Sequence, residues 1–236
     1  VNKARILFWD IEATDLEASF GYTLCVGYKY LGQKTTHVIS LADFPRVADP
    51  KKEPDIHLMR AIHRILAQEA DIIVGWYSKP YDRPFVNTRM MLAGLDPLPP
   101  LNAEHIDLYW TARSNLKLHS NRLQAVSETL GCPYSKTPVR ADIWRRAQRG
   151  DAAALAYVHH HCKLDVQILE WTYMQLRPFV RQHPPVTNNK EACRVCGEMT
   201  WESNGKRFTA GNFVRRLRCR TCGAWAFVKA DDRRAA

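Results

Sequence analysis

Near the start of the chain apolar residues fall in short unbroken runs, and further along they fall at helical spacing. This change of period sketches an α/β fold. Ile6-Leu7-Phe8-Trp9, closed by a carboxylate, predicts a strand covered on both faces. Gly21 to Leu31 and Thr35 to Ser40 read as the next strands, in an antiparallel start to the sheet. Ile56 to Ala70 has the apolar stripe of an amphipathic helix, and Ile72-Ile73-Val74 then predicts a short buried strand. A turn containing Gly75 and Pro80 leads to a helix from about Pro84 to Ala93. After Gly150-Asp151, which reads as break and cap, strong helix formers predict one long helix to about Leu176. Arg140 to Arg149 predicts a helix with a basic face, which either tracks a polyanion or is solvated.

Acidic residues at the ends of these elements add chemistry. Side chains alternate along a strand, so Asp10 and Glu12 project to one side at the end of the first run. Paired hard oxygens suit Mg²⁺ or Mn²⁺, and two such ions about 3.5 to 4 Å apart activate a water and stabilise a leaving oxygen. Asp82 stands at a loop-to-helix junction, as a helix cap or as a further ligand. In the long helix His161 and Asp165 lie one turn apart on one face, whereas His160 is rotated away by about 100°. Three consecutive histidines therefore do not converge on one metal. They form a polar face, or one of them serves as a base near neutral pH.

Taken together these segments resemble the 3′-to-5′ exonucleases of the DEDD superfamily, which have an RNase H-like fold and four acidic metal ligands. The resemblance spans roughly residues 4 to 178. Asp10-Ile-Glu12-Ala-Thr14-Asp-Leu16 is similar to the first exonuclease motif. Asp71 through Trp76, continued by Tyr81-Asp82-Arg-Pro-Phe, is similar to the second, in the form found in proofreading domains of family B DNA polymerases. His105-Ile-Asp107-Leu and the stretch from Leu116 to Val126 also resemble those relatives. The resemblance implies Asp10, Glu12, Asp82 and Asp165 as ligands of two Mg²⁺ or Mn²⁺ ions, and contacts to nucleic acid from Thr14 and Leu16. It also implies a water-positioning residue four places before the last aspartate in one branch, which is His161, or five places before it in the other, which is His160. The wording around Asp165 favours His161. Tyr77 departs from the asparagine usual at its place. Asp107 reads as a strand-end or cap residue, or as a supporting acid.

Cysteine spacing defines a second region. Cys193-x-x-Cys196-Gly and Cys219-x-x-Cys222-Gly can each wrap a turn and converge on one tetrahedral Zn²⁺, and the odd total of seven cysteines speaks against a disulfide framework. Cys25, Cys132 and Cys162 read as small buried residues. The tail resembles a four-cysteine zinc ribbon. Residues 183–236 hold eleven Lys or Arg against five Asp or Glu, interleaved with Trp201, Phe208, Phe213, Trp225 and Phe227. Cations beside aromatic faces neutralise phosphates and stack bases, and Arg215, Arg216, Arg218 and Arg220 are the candidates. Part of this aromatic set is needed for the core of so small a module.

With 46% hydrophobic and 25% charged residues the chain can bury a substantial core, and its net charge of +10 suits a polyanionic partner. No run approaches a membrane span and the first residues lack a signal layout, so a cytoplasmic protein without membrane contact is expected. The expected organisation is an RNase H-like mixed sheet flanked by helices over 1–180, a linker over 181–190 and a ribbon over 191–236. The expected activity is two-metal hydrolysis of DNA or RNA from single-stranded 3′ ends, in the company of a replication or repair protein. The alternative is a non-catalytic nucleic-acid-binding subunit on a degenerate nuclease fold.

Overall fold

The computed structural model describes residues 3–47, 49, 51–100, 104–209 and 211–229, so the end of the basic tail, 230–236, lies outside the described residues. Two compact units emerge, one of Arg5–Thr172 and one of Val1–Ala4 with Tyr173–Ala236.

In the first unit the apolar run forms the central strand β1 (Ile6–Ala13), with Leu7, Phe8 and Trp9 fully buried. β2 (Thr23–Tyr30) and β3 (His37–Ser40) continue the sheet antiparallel on one side of it; β4 (Ile72–Gly75) and β5 (Glu104–Asp107) continue it in parallel on the other. The order β3-β2-β1-β4-β5 is a mixed five-stranded sheet, flanked by helices in the RNase H-like manner expected. α1 (Ile56–Arg64) packs Leu58, Met59 and Ile62 on the sheet. The chain then widens into a π-helical turn over Ile65–Glu69 instead of continuing as one α-helix to Ala70, and Ile65 and Leu66 stay in the core.

α2 (Asp82–Leu92) begins at Asp82 rather than at the expected Pro84, which sits harmlessly in the first turn, where its missing N–H has no helical partner to lose. A buried ion network anchors this helix: Arg89 binds Asp55 and Glu53 and donates to the Ala18 carbonyl, while Asp55 also accepts from Thr23 N. α3 (Leu108–Asn115), α4 (Leu123–Thr129), α5 (Ala141–Gln148) and α6 (Ala152–Leu176) are the further α-helices among the described residues.

In the second unit β6 (Trp201–Thr209), β7 (Asn212–Cys219) and β8 (Trp225–Lys229) form an antiparallel sheet. Residues 181–190, the expected linker, lie inside this unit. His183 is fully buried there, bonded to the Tyr173 hydroxyl at 2.8 Å, and Val186 accepts from Ala4 N.

Candidate metal centres

The first candidate centre forms where β1 meets α2 and α6. Gly27 of β2 lies opposite Asp10, and a Cβ there would stand 2.9 Å from both Cys162 Sγ and Val166 Cγ2 of α6. Only glycine lets that helix come so near the sheet. The approach puts the Cys162 thiol 3.6 Å from the Asp10 carbonyl and carries His161 and Asp165, both buried, toward the β1 carboxylates. A bulge between Glu12 and Ala13 ends the regular ladder at this edge.

Asp82, the first residue of α2, is buried and accepts from the backbone N–H of Ile11, which ties it to the same strand. The loop leading to it is held by Asp107, whose carboxylate accepts from Tyr77 N at 2.9 Å and Lys79 N at 3.1 Å and caps α3 through Tyr109 N. Asp107 thus takes the capping role. Tyr77, in place of the usual asparagine, adopts a left-handed backbone with φ 60° and packs on Tyr109 with ring centroids 4.9 Å apart.

His161 Nε2 lies 3.7 Å from Glu12 Oε1 and 3.8 Å from Asp165 Oδ2, and its Nδ1 lies 2.7 Å from the Thr137 hydroxyl. His160 points to solvent. Three further residues, which carry no functional signal in the sequence, adjoin the cluster. Lys136 ion-pairs with Asp165, Thr137 holds the imidazole, and Trp144 both donates to Glu12 and packs edge-on against His161 at 5.3 Å. Lys136 and Thr137 sit in an irregular stretch with no periodicity to flag them. Trp144 stands in the sequence only as part of a basic helix.

Burial and mutual repulsion govern the charges. Burial first, then Asp165, Asp82 and Glu12, holds the Asp10 carboxyl well above its usual range. Burial and the charge of Asp165 push Glu12 up to about 8, and burial pushes Asp82 up to about 7 against the pull of its backbone N–H donors. Burial lowers the His161 pKa, with Asp165 opposing, which favours the neutral ring. Asp165 Oδ1 is buried without a hydrogen-bond partner in the structure. An oxygen-rich, crowded and unsatisfied set of this kind fits a hard divalent cation; Glu12, His161 and Asp165 bring ligand atoms within 4.8 Å of one another.

The motif residues Thr14 and Leu16 lie just beyond β1. The Thr14 hydroxyl accepts from Tyr22 N at 2.9 Å, and Leu16 is 79% exposed.

The second centre gathers Cys193, Cys196, Cys219 and Cys222. The Sγ atoms of Cys193 and Cys222, and of Cys196 and Cys219, lie 3.6 Å apart. Zn–S bonds of about 2.3 Å at tetrahedral angles place sulfurs about 3.8 Å apart, so the cluster fits a zinc ribbon. Both turns close alike, Gly197 N on the Cys193 carbonyl at 2.7 Å and Gly223 N on the Cys219 carbonyl at 2.8 Å, each glycine with φ 78°. The Cys222 thiol donates to Cys193 and brings that thiol down to about 5. Cys25 and Cys162 are buried, and Cys132 is partly so.

A family model for the RNase_H superfamily matches residues 7–176, most of the chain. The chain belongs to the RNase_H superfamily. The part that matches the RNase_H superfamily contains Asp10, Glu12, Asp82, His161 and Asp165 and ends before the ribbon. Membership supports a nuclease-type function acting on nucleic acid with divalent metals. The structure is similar to that of the family B DNA polymerase from the hyperthermophilic archaeon Pyrobaculum calidifontis, with TM-score 0.51 and 16% identity. The match covers 75% of this chain and 26% of the polymerase, so the chain spans about a quarter of that protein's length, and the likeness is one of fold. A comparison with curated protein sequences finds no match. Among the described residues no helix is long and apolar enough to cross a membrane.

Proposed function

We propose that this RNase_H-superfamily chain is a 3′-to-5′ exonuclease that hydrolyses phosphodiesters of DNA or RNA with two Mg²⁺ or Mn²⁺ ions held by Asp10, Glu12, Asp82 and Asp165. The observation that carries the reading is the carboxylate cluster with Asp165 Oδ1 left unsatisfied and His161 Nε2 3.7 Å from Glu12 and 3.8 Å from Asp165. The 3′-to-5′ polarity rests on the resemblance of the motifs. When bound, the ions supply charge stabilisation at the reacting phosphate and lower the pKa of a water.

The chain's own residues orient and move the proton. Donation from His161 Nδ1 toward Thr137 leaves the Nε2 lone pair facing Glu12 and Asp165, where it accepts the proton of the attacking water. Trp144 fixes the ring plane and one Glu12 oxygen. Lys136 steadies Asp165. In the second unit, the four cysteines hold one structural Zn²⁺ and the ribbon strengthens binding of nucleic acid.

Digestion of 3′-labelled and 5′-labelled single and double strands of DNA and RNA, with Mg²⁺, with Mn²⁺ and with neither, tests the reading. Metal-dependent release of mononucleotides from the 3′ end is expected. Tight binding without hydrolysis in any arm overturns it in favour of a binding subunit.

A further inference from the structure

The ribbon sheet has two unlike faces. One is closed: Leu217 and Val228 are 1% and 4% exposed and pack with Trp201 and Ala226. Strand alternation sends their neighbours to the other side. Trp225 and Phe227 on β8 are 48% and 54% exposed, too open to belong to the core of so small a module. In the ladder Trp225 stands opposite Arg218, and Phe227 opposite Arg216. Val214 also lies on this face, between its partners Arg207 of β6 and Lys229 of β8. The Arg207 guanidinium lies over the Phe227 ring, 5.8 Å from its centroid. Glu202 is the acidic neighbour, 3.6 Å from Arg218 and 3.7 Å from Arg220, in pairs open to solvent. Arg216 is half-buried, and its Nε is shielded from solvent with no hydrogen-bond partner among the described residues.

We propose that this face is a stacking platform for single-stranded nucleic acid, with Trp225 and Phe227 each taking one base and Arg207, Arg216 and Arg218 pairing the phosphates. The inference rests on the reading that the chain acts on nucleic acid, and it refines the basic set. Arg215 alternates onto the opposite side of β7 and is not part of the platform.

Spacing decides between single strand and duplex. Alternate residues of a strand stand about 6.6 Å apart, roughly twice the 3.4 Å between stacked bases of a duplex strand. Two adjacent rings can therefore each cover a base only where successive bases have left the stack. Charge complementarity supplies the rest: the outward cations outnumber the Glu202 carboxylate and meet a polyanion. Stacking tolerates any base, because every base has a π-face. The platform therefore serves as a sequence-independent grip on a frayed or extended strand.

Fluorescence anisotropy on the full chain, without added Mg²⁺ or Mn²⁺ and with zinc content measured, tests this. The probes are short oligothymidylate, oligouridylate and a duplex of equal length. Trp225→Ala and Phe227→Ala are each expected to weaken single-strand binding about tenfold, to leave weak duplex binding unchanged and to keep one zinc per chain. Trp225→Phe retains a ring and should recover most of the affinity. Phe213→Ala, an exposed aromatic at the β6–β7 hairpin, should change nothing. Equal losses for single strand and duplex, an equal loss in Phe213→Ala, or failure of Trp225→Phe to recover binding overturns the platform. Weakened binding in a chain that hydrolyses nothing leaves the platform standing and removes the nuclease. Unchanged binding in an active enzyme does the reverse.

Discussion

The two candidate metal centres are built in opposite ways. The cysteine cluster is local: two Cys-x-x-Cys turns of matching backbone geometry, each closed by its own glycine, present four sulfurs to one point. The carboxylate cluster is global: β1, the start of α2 and the middle of α6 each bring part of it, and the rest of the sheet must fold before the parts meet. A local site of soft thiols depends on its ion for folding, whereas a global site of hard oxygens folds first and takes up protons when no ion neutralises it.

The sharpest way to break the comparison is to remove the ions from each. Cys219→Ser should abolish zinc binding and unfold the ribbon, since a structural zinc contributes about 10 kcal/mol or more in small modules. Hydrogen exchange should show β6 to β8 losing protection while β1 and β4 keep theirs. Retained protection throughout would show that the ribbon folds without metal.

Asp10→Asn tests the other side. Loss of one ligand should slow hydrolysis roughly a hundredfold to a thousandfold, while the thermal midpoint of the metal-free protein rises, because a crowded buried carboxylate has been removed. A fall in both rate and midpoint would mean that Asp10 serves the fold. The histidines give a smaller contrast. His161→Ala should cost about tenfold or more in kcat, with little change in KM, and solvent-facing His160→Ala should cost less than about twofold. The reverse order would move the base one residue back.

The smallest effect is thermodynamic. Glu12 and Asp82 hold protons in the folded chain up to about 8 and about 7, whereas carboxyls of an unfolded chain release them near 4. The folded state therefore binds more protons than the unfolded state across this window, and stability falls as pH rises through it. The metal-free midpoint should drop by several degrees between the two ends, and saturating Mg²⁺ should flatten the slope. A flat metal-free profile would contradict the crowding.

Legibility in the sequence followed the same local-to-global divide. The Cys-x-x-Cys turns were readable from spacing alone, because each cysteine pair lies on one turn. The strand of β1, the alternation of Asp10 with Glu12 and the single face shared by His161 and Asp165 were readable from period. Lys136, Thr137 and Trp144 were not, since their partners lie on other elements and nothing local distinguishes Lys136 from a solvated lysine. The break of α1 into a wider turn was also invisible, because Ile65 and Leu66 fit the apolar stripe of a continuous helix equally well. The inner and outer faces of the ribbon became assignable only once the register of β7 and β8 was fixed.

Gly27 carries one more consequence. The distance between the helix bearing Asp165 and the strand bearing Asp10 is set by the absence of a methyl group, with van der Waals contact as the stop. The geometry of the proposed site is therefore gauged at the sheet–helix interface, by a residue that is not one of its proposed ligands. A single added carbon there would act as a shim, widening the gap between carboxylates while every ligand kept its identity. The rate of such an enzyme is adjustable by carpentry as well as by chemistry.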